Sequence, residues 1–274
     1  MNRYRYGVIF ILLFICIQVF SATLPDGTQV DEAKIEKTSF MPGSNYYYFK
    51  EAVTLNTPSG KLGVKVVNFS SRGEILYLET ASGEKISTPA GDLTVKALSY
   101  DYWKGQGQLT RVRLEGKNEI KTVLGFIRAQ TDDRLEFFPG EGLANFQPAL
   151  HKPGKLLRDK KEILFTQYIV YQESGNIHLQ LKEKGEINTS LGPLFFGGKV
   201  VFSREGRLLS GELSKIQEIV TQAGRFPVSK VTFLEERLLY AVLARAQEVS
   251  LPWKKVRLAL DRKSTRLNSS HRIR

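Results

Sequence analysis

Four carboxylates lie close together in the stretch TDDRLEFFPGEG, residues 131–142, and they are the side chains best suited to acid–base chemistry: Asp132, Asp133, Glu136 and Glu141. A glycoside hydrolase holds two carboxyl groups about 5 to 9 Å apart across a cleft. Nothing in this spacing requires such a pair, and turn formation is the ordinary interpretation of aspartates here. A hydrolase of envelope polysaccharides, with Asp133 and Glu141 as its pair, is therefore an alternative and not the main prediction.

Nucleophiles and metal ligands are scarce in this chain. It has one cysteine, Cys16, and three histidines, of which His151 and His178 precede the C-terminal tail. With Cys16 in a removable N-terminal segment, no disulfide, zinc–thiolate cluster or cysteine nucleophile is available. The sequence contains no phosphate-binding loop, dinucleotide fingerprint or nucleophile elbow. We predict that the protein is not an enzyme, has no catalytic or metal-ligating residues and uses no cofactor.

Basic residues concentrate in the stretch HKPGKLLRDKKE, residues 151–162, and they are candidate binding residues: Lys152, Lys155, Arg158, Lys160 and Lys161. Such a run attracts anionic lipid, glycan or nucleic acid. It equally forms a solvated loop that keeps an exposed sheet edge from pairing with other chains. Nucleic acid is disfavoured because the chain carries an export signal and no nucleic-acid-binding motif.

Aromatic residues concentrate in SNYYYFK, residues 44–50. If this stretch is a strand, Tyr46 and Tyr48 share one face, and Tyr47 and Phe49 share the other. Tyr46 and Tyr48 are candidate binding residues because aromatic faces stack on sugar rings or sit in a membrane interface. The alternative is ordinary cross-strand packing. Trp103 and Trp253 lie in turn-like contexts and are possible interface anchors.

The elements that position these residues are tandem hairpins. Three segments that start 31 residues apart each have apolar alternation, an aromatic residue, a turn and an apolar return: residues 168–181, 199–213 and 230–243. Looser copies occupy residues 66–79, 98–114 and 134–150. Alternation on both sides of a turn, with glycine in all but the last copy, is typical of a β-hairpin.

A second recurring element lies between these hairpins. It is a threonine followed three residues later by glycine and then by an apolar run, starting at Thr57, Thr88, Thr122, Thr189 and Thr221. In the first two copies proline at the second position presets a turn that glycine completes. We therefore predict a second set of turns, alternating with the first.

Two turns in each unit of about 31 to 36 residues imply three or four short strands per unit. A unit this small cannot bury both faces of its sheet, so neighbouring copies must pair with it. The prediction is an all-β protein of tandem antiparallel hairpins that form an extended or stacked sheet after an N-terminal signal helix. The expected divisions are a β segment at 23–64 and a repeat domain at 65–260.

Two segments also fit helices. Residues 233–248 make an amphipathic pattern of strong helix formers, and residues 213–224 fit a short helix that ends at Gly224. We favour strands because the residues "RLL" at 207–209 recur at 237–239, within one residue of the repeat's register.

The hairpin pattern, with an aromatic residue, a short glycine turn and a polar–apolar return strand, carries a resemblance over residues 65–250. It resembles the membrane-occupation-type (MORN-like) and antitoxin-like β-hairpin repeats, and the uncharacterised exported bacterial proteins built from them. The resemblance implies a scaffold or a binding surface, without an identified ligand.

The two ends of the chain need separate treatment. Residues 1–22 have the layout of a secretory signal, with Arg3 and Arg5 before the apolar run Val8 to Phe20; an uncleaved anchor and lipidation of Cys16 are alternatives. Residues 261–271 resemble a translated sequencing adapter, so 261–274 is expected to be a non-native tail that has replaced the true C-terminus. This tail holds five of the basic residues behind the net charge of +12, which overstates how basic the body is.

The predicted function is that of an exported cell-envelope repeat protein, periplasmic or at the cell surface, that binds or scaffolds. Its expected partners are an envelope protein, a glycan or a second copy through sheet edges, with possible peripheral contact with anionic lipid and no nucleic acid. A membrane-associated β protein, either an outer-membrane barrel or an anchored lipid-binding groove, is the other alternative.

Overall fold

A computed structural model describes residues 21–221, 224–244, 247–251 and 254–258, and most of them lie in antiparallel β-strands. The predicted all-β fold is confirmed. The one helical turn in the described ranges is a 3₁₀ turn at Glu32–Lys34, and the described part of the chain has no helix long and apolar enough to cross a membrane. The signal segment up to residue 20, Trp253 and the tail 261–274 lie outside the described residues.

The described chain divides into two compact units. The first unit consists of residues 21–84 and 96–109, and the second of residues 85–95 and 110–258. The strands that belong wholly to the first unit are β1 (Ser21–Thr23), β2 (Gln29–Asp31), β3 (Ile35–Met41), β4 (Ser44–Thr57) and β5 (Gly60–Ser70). Three further strands supply residues to both units: β6 (Ile75–Thr88), β7 (Gly91–Trp103) and β8 (Gln106–Leu114).

The second unit contains the remaining strands: β9 (Asn118–Thr122), β10 (Gly125–Ala129), β11 (Arg134–Phe137), β12 (Leu143–Gln147), β13 (Gly154–Arg158), β14 (Lys161–Val170), β15 (Ile177–Leu181), β16 (Gly185–Thr189), β17 (Gly192–Phe202), β18 (Leu208–Thr221), β19 (Gly224–Leu234), β20 (Arg237–Leu243), β21 (Gln247–Leu251) and β22 (Lys254–Leu258). Its pairings run β9–β10–β13–β14 and then β14–β15–β17–β18–β19–β20. In the first unit, β3, β4, β5 and β6 pair in chain order.

Two hairpins show that the repeat is structural as well as sequential. The β4–β5 hairpin joins strands of 14 and 11 residues, and so does the β18–β19 hairpin. Both have a bulge at the same place, since the pairing shifts between Tyr48 and Val53 in β4 and between Glu212 and Gln217 in β18. Because one constant sequence spacing aligns turns, partners and bulges, the two hairpins are copies of one element.

The threonine–glycine turns share one hydrogen-bond pattern. The hydroxyl of Thr57 donates to the carbonyl of Gly60 at 2.8 Å and accepts from the amide of Ser59 at 3.1 Å. The same pair of bonds forms at the turns that begin at Thr88, Thr122 and Thr189, and the donor bond recurs at Thr221. The glycine has a positive φ in all five, between 93° and 128°. This strained backbone conformation explains why the fourth residue is always glycine.

The predicted hairpins are confirmed, and the predicted three or four short strands per unit hold for only part of the chain. The turns at 71–74, 104–105, 138–142, 171–176, 203–207 and 235–236 lie where the six hairpin segments placed them. Residues 118–147 hold four short strands, β9 to β12, whereas a repeat such as β17–β18 holds two long strands. A bulge lets one strand bend and continue, which alternation alone cannot distinguish from a strand end. The helical alternatives also fail, because 208–221 and 237–243 are strands.

Buried aromatic rings fill the space beside glycines in the second unit. Phe165 and Phe196 are fully buried. A Cβ atom on Gly154 would lie 2.4 Å from the Phe165 ring, and one on Gly211 would lie 2.5 Å from the Phe196 ring. The absence of a side chain at these strand positions therefore lets a ring pack directly against the backbone.

Candidate functional site

The tyrosine stretch of β4 has the face assignment that the sequence predicted. The rings of Tyr46 and Tyr48 are stacked, with centroids 6.3 Å apart and planes inclined by 21°. On the opposite face, Phe49 is buried and Tyr47 makes an edge contact with the buried Phe69. The Tyr46–Tyr48 pair is therefore the part of the stretch that does not enter the core.

Neighbouring strands add polar groups to this face. Asn68 of β5 lies opposite Tyr46 and also opposite Tyr77 of β6, so the three residues form one row across the sheet. In the next row Lys37 lies opposite Tyr48, with its Nζ 5.9 Å from the ring centroid. We call Tyr46, Tyr48, Tyr77 and Asn68 the tyrosine face.

Asn68 is the least satisfied polar group of the tyrosine face. It is 7% exposed, and its Oδ1 atom has no hydrogen-bond partner within the described residues. Buried amide oxygens are almost always paired, and leaving one unpaired costs about 1 to 3 kcal/mol. The hydroxyl of Tyr77 is already bonded, since it donates to Glu79 Oε1 at 2.5 Å.

The β18–β19 hairpin provides an internal comparison for this face. At the positions equivalent to Tyr46 and Tyr48, β18 carries Ser210 and Glu212, and the residue opposite Ser210 is Thr232. The same hairpin thus folds with two small or charged side chains in place of the tyrosine pair. Packing of the repeat does not require Tyr46 and Tyr48.

The basic run does not form one surface. Lys152 and Lys155 line a cleft of about 730 Å³ together with Lys117 and Arg128, and we call these four residues the basic cleft. Arg158 lies on the other face of β13 because side chains alternate along a strand. Its guanidinium stacks on Phe202 at 4.9 Å and donates to the carbonyl of Gly206 at 3.1 Å.

The other members of the run have separate surroundings. Burial lowers the pKa of Arg158, although Asp159 beside it opposes this shift. Lys160 is exposed and has a positive φ in the two-residue turn between β13 and β14. Lys161 donates to Glu186 Oε1 at 2.5 Å. Of the five predicted residues, the structure therefore brings only Lys152 and Lys155 together.

The four carboxylates are engaged in different ways. Asp133 is 5% exposed, and its two oxygens accept from the amides of Gln130 and Ala149, each at 2.7 Å. Asp132 pairs with Arg113 at 3.6 Å, and Glu136 pairs with Arg111 at 3.5 Å. The carboxylate of Asp133 thus links the loop segments at Gln130 and Ala149, and we call this pair of hydrogen bonds the Asp133 clamp.

Glu141 lies elsewhere, on the rim of a second cleft of about 530 Å³ in the same unit. This cleft is also lined by Phe138, Tyr168 and Arg204. Burial raises the pKa of Tyr168 to about 12, with a contact to Thr122 acting in the opposite direction. Asp133 is not among the residues that line this cleft.

His178 has an apolar setting. Its ring lies 4.3 Å from that of Tyr171, and burial, with a smaller contribution from Lys199, lowers its pKa. Within the described ranges, no three His, Cys, Asp or Glu side chains come together as ligands for a metal ion.

Sequence reasoning did not single out Asn68, Tyr77, Lys117 or Arg128 as site residues. Each joins its site through strand pairing or loop contact with residues distant in sequence. Periodicity gives the face of a residue within its strand, but not its partner across the sheet. Asn68 and Arg128 each lie between two buried apolar residues, so alternation predicts the face that each occupies but gives no signal that either belongs to a site.

Comparisons with protein-family models, with curated proteins and with solved structures found no match to this chain.

Proposed function

We propose that the chain is an exported cell-envelope protein that acts without catalysis, as a β-scaffold whose tyrosine face binds a glycan. Export rests on the sequence of residues 1–22, with its basic start and apolar run. Glycan binding rests on one observation above the others. A stacked pair, Tyr46 and Tyr48, lies next to Asn68, a buried amide whose oxygen is unpaired.

The chemistry of a pyranose ring matches this arrangement. Its C–H face is apolar and packs on the flat faces of aromatic rings, while its hydroxyl groups lie around the edge. The ring planes of Tyr46 and Tyr48 are nearly parallel, and an outer ring face of this stacked pair can supply such a surface. A sugar hydroxyl can donate to Asn68 Oδ1, which would gain the partner that it lacks, once the side chains that cover this buried atom move aside. Lys37 and Glu79, in the neighbouring row, can bond further hydroxyls.

The internal comparison favours binding over packing as the reason for the tyrosines. The equivalent hairpin positions carry Ser210 and Glu212, so a tyrosine pair is a feature of one copy only. A half-exposed aromatic pair that the fold does not need is more consistent with a ligand surface than with a structural role.

The first test measures binding of the tetrasaccharide of N-acetylglucosamine by isothermal titration calorimetry. We expect saturable binding, and we expect the Tyr46→Ser/Tyr48→Ser variant, which imitates the other hairpin, to weaken it at least about tenfold. The matched control is Tyr171→Ser, which removes an exposed tyrosine of the second unit. Absence of binding to this sugar and to soluble peptidoglycan fragments would contradict the proposal.

The second test separates function from stability. Replacement of Asn68 by leucine removes an unsatisfied buried group, so we expect the free energy of unfolding to stay the same or to rise by about 1 kcal/mol. The same change should abolish sugar binding. If Asn68→Leu destabilises the fold and leaves binding intact, Asn68 is structural and the proposal fails.

A second candidate function is peripheral lipid contact, and exposed apolar residues at two hairpin turns of the first unit favour it. Phe40 and Trp103 are each 69% exposed, and Lys104 follows Trp103 directly. An exposed tryptophan beside a cation, together with a second exposed aromatic ring, is typical of interfacial anchors. Sedimentation with phosphatidylglycerol vesicles tests this candidate: Phe40→Ser/Trp103→Ser should lose binding, and Ile216→Ser/Val220→Ser, a pair of exposed apolar residues in β18, should retain it.

A further inference from the structure

The basic cleft of the second unit places two like charges in direct opposition. Arg128 of β10 and Lys155 of β13 are cross-strand partners. Directly opposed residues have Cβ atoms about 5 Å apart, and like charges on such a pair destabilise a sheet. Glu162 of β14 bonds or pairs with both, at 3.8 Å from Arg128 and 3.2 Å from Lys155. One carboxylate therefore serves two cations.

Two polar clamps, a partly buried Asn118 and a buried Asp133, position the other cations of the cleft. Asn118 accepts from the amide of Thr94 at 2.7 Å and donates to the carbonyl of Glu115 at 3.0 Å, which fixes the turn that carries Lys117. Asp133 accepts from the amide of Ala149, and Ala149 in turn accepts from the amide of Lys152. Both lysines are thus held on ordered loops.

The charge balance of the cleft indicates an anionic ligand. Lys117 and Lys152 have no ion-pair partner among the residues that the structure describes, and Glu119 is the one acidic residue of the lining. With Glu162 included, four cations face two carboxylates. The excess of two positive charges is held in a concave site, where a bound anion is attracted by all four groups at once.

We infer that the basic cleft binds a diphosphate group. Two linked phosphates carry about two to three negative charges near neutral pH and offer oxygens on both sides of the cleft. Arg128 can hold one phosphate through its planar fork, and the lysine ammonium groups act as point charges on the oxygens. The Arg128 guanidinium and the three lysine ammonium groups together offer more N–H donors than the oxygens of one phosphate or carboxylate accept. This inference does not depend on the tyrosine face.

Isothermal titration calorimetry of the purified protein with inorganic pyrophosphate tests the inference. We expect one bound pyrophosphate per chain, with an affinity that falls as salt is added. Orthophosphate should bind at least about tenfold more weakly. The Lys117→Gln/Lys152→Gln variant, which touches no ion pair of the described chain, should lose at least about tenfold in affinity.

A matched control removes the same charge elsewhere. Lys160→Gln/Lys182→Gln changes two exposed lysines that do not line the cleft. We expect this variant to bind pyrophosphate within about twofold of the parent protein. Equal losses of pyrophosphate affinity in the two double variants would overturn the inference, because attraction would then be a property of net charge. Absence of binding to the parent protein would overturn it as well.

The diphosphate could belong to a lipid or to a soluble molecule, and a third arm distinguishes these sources. Farnesyl diphosphate carries the same group on an apolar chain. Affinity at least about tenfold above that of pyrophosphate indicates a lipid diphosphate, and equal affinity indicates a soluble one. Either result supports a diphosphate site, provided that Lys117→Gln/Lys152→Gln reduces it. Binding of farnesyl diphosphate that this variant leaves unchanged would contradict the site.

Discussion

Arg128 and Lys155 face each other across adjacent antiparallel strands, and Glu162 is the carboxylate that contacts both. The arrangement is tolerated because the attraction of the Glu162 carboxylate to both cations offsets the repulsion between them. The sheet therefore relies on Glu162 more than on an ordinary surface ion pair.

We expect Glu162→Gln to lower the free energy of unfolding by about 0.5 to 1 kcal/mol at low ionic strength. Because the contacts are partly exposed, roughly 1 M NaCl should remove most of this loss. Urea unfolding at both salt concentrations measures it. Glu183→Gln, in the exposed turn after β15, is the control and should show no salt-dependent loss. A loss for Glu162→Gln that is equal at both salt concentrations would show that charge is not the cause.

The threonine–glycine turn makes a second prediction. The hydroxyl of Thr189 donates to Gly192 at 2.7 Å and accepts from Leu191 at 3.1 Å. Thr189→Val keeps the shape and removes both bonds, so we expect a loss of about 1 to 2 kcal/mol in thermal or urea unfolding. Thr189→Ser keeps the hydroxyl and should lose less than half of that. If valine and serine cost the same, the hydroxyl does not hold the turn.

The features that the sequence predicted correctly are local ones. A turn such as Thr189 to Gly192 is determined by four consecutive residues, and the alternation of Tyr46, Tyr47, Tyr48 and Phe49 determines their faces within β4. The length of the long strands was predicted wrongly because a bulge such as that after Tyr48 interrupts alternation without ending the strand. Local sequence is thus sufficient to predict where the turns lie and which face each side chain occupies, but not where a strand ends.

The candidate sites were predictable only in part, for a related reason. Lys155 was found because it lies in a basic run, but its true neighbour Arg128 is distant in sequence and becomes adjacent through β10–β13 pairing. Conversely, Arg158 belongs to the basic run but not to the basic cleft, because it lies on the opposite face of β13 and packs on Phe202. A charge run describes a segment, whereas a site depends on register, which is a tertiary property.

Glycine at position 211 makes a prediction about packing. The ring of Phe196 occupies the space of a Cβ at this position, at 2.5 Å. Gly211→Ala should therefore destabilise the protein by about 1 to 3 kcal/mol, because the buried ring has little room to move. In a Phe196→Leu background the same alanine should cost clearly less. The four-protein cycle is measured by urea unfolding, and additive effects of the two changes would contradict a direct clash.

Asp133 and Asp132 offer a matched pair for the clamp. Asp133→Asn leaves one oxygen to accept from two amides, so we expect a loss of about 1 to 3 kcal/mol in the free energy of unfolding. Asp132→Asn changes an exposed side chain at a positive φ that asparagine tolerates, and it should cost about 0.5 kcal/mol or less. Comparable losses in the two variants would argue against the clamp.

Pyrophosphate affinity should fall with Asp133→Asn alone, since that clamp positions Lys152.

Alkaline pH should unfold the protein partly through Tyr168. Its pKa in the folded state is raised to about 12 from an ordinary value of 10.0, mainly by burial. A raised pKa means that the folded state holds the phenolic proton more tightly. The stabilisation is therefore complete below pH 10 and is lost as the pH rises to about 12, by about 2 to 3 kcal/mol in all. Urea unfolding between pH 9 and pH 12 measures this loss of stability, and we expect a smaller loss in Tyr168→Phe. Some pH dependence should remain in the variant, because burial also raises the pKa of Tyr100. An identical pH dependence in parent and variant would show that Tyr168 does not ionise at the expense of the fold.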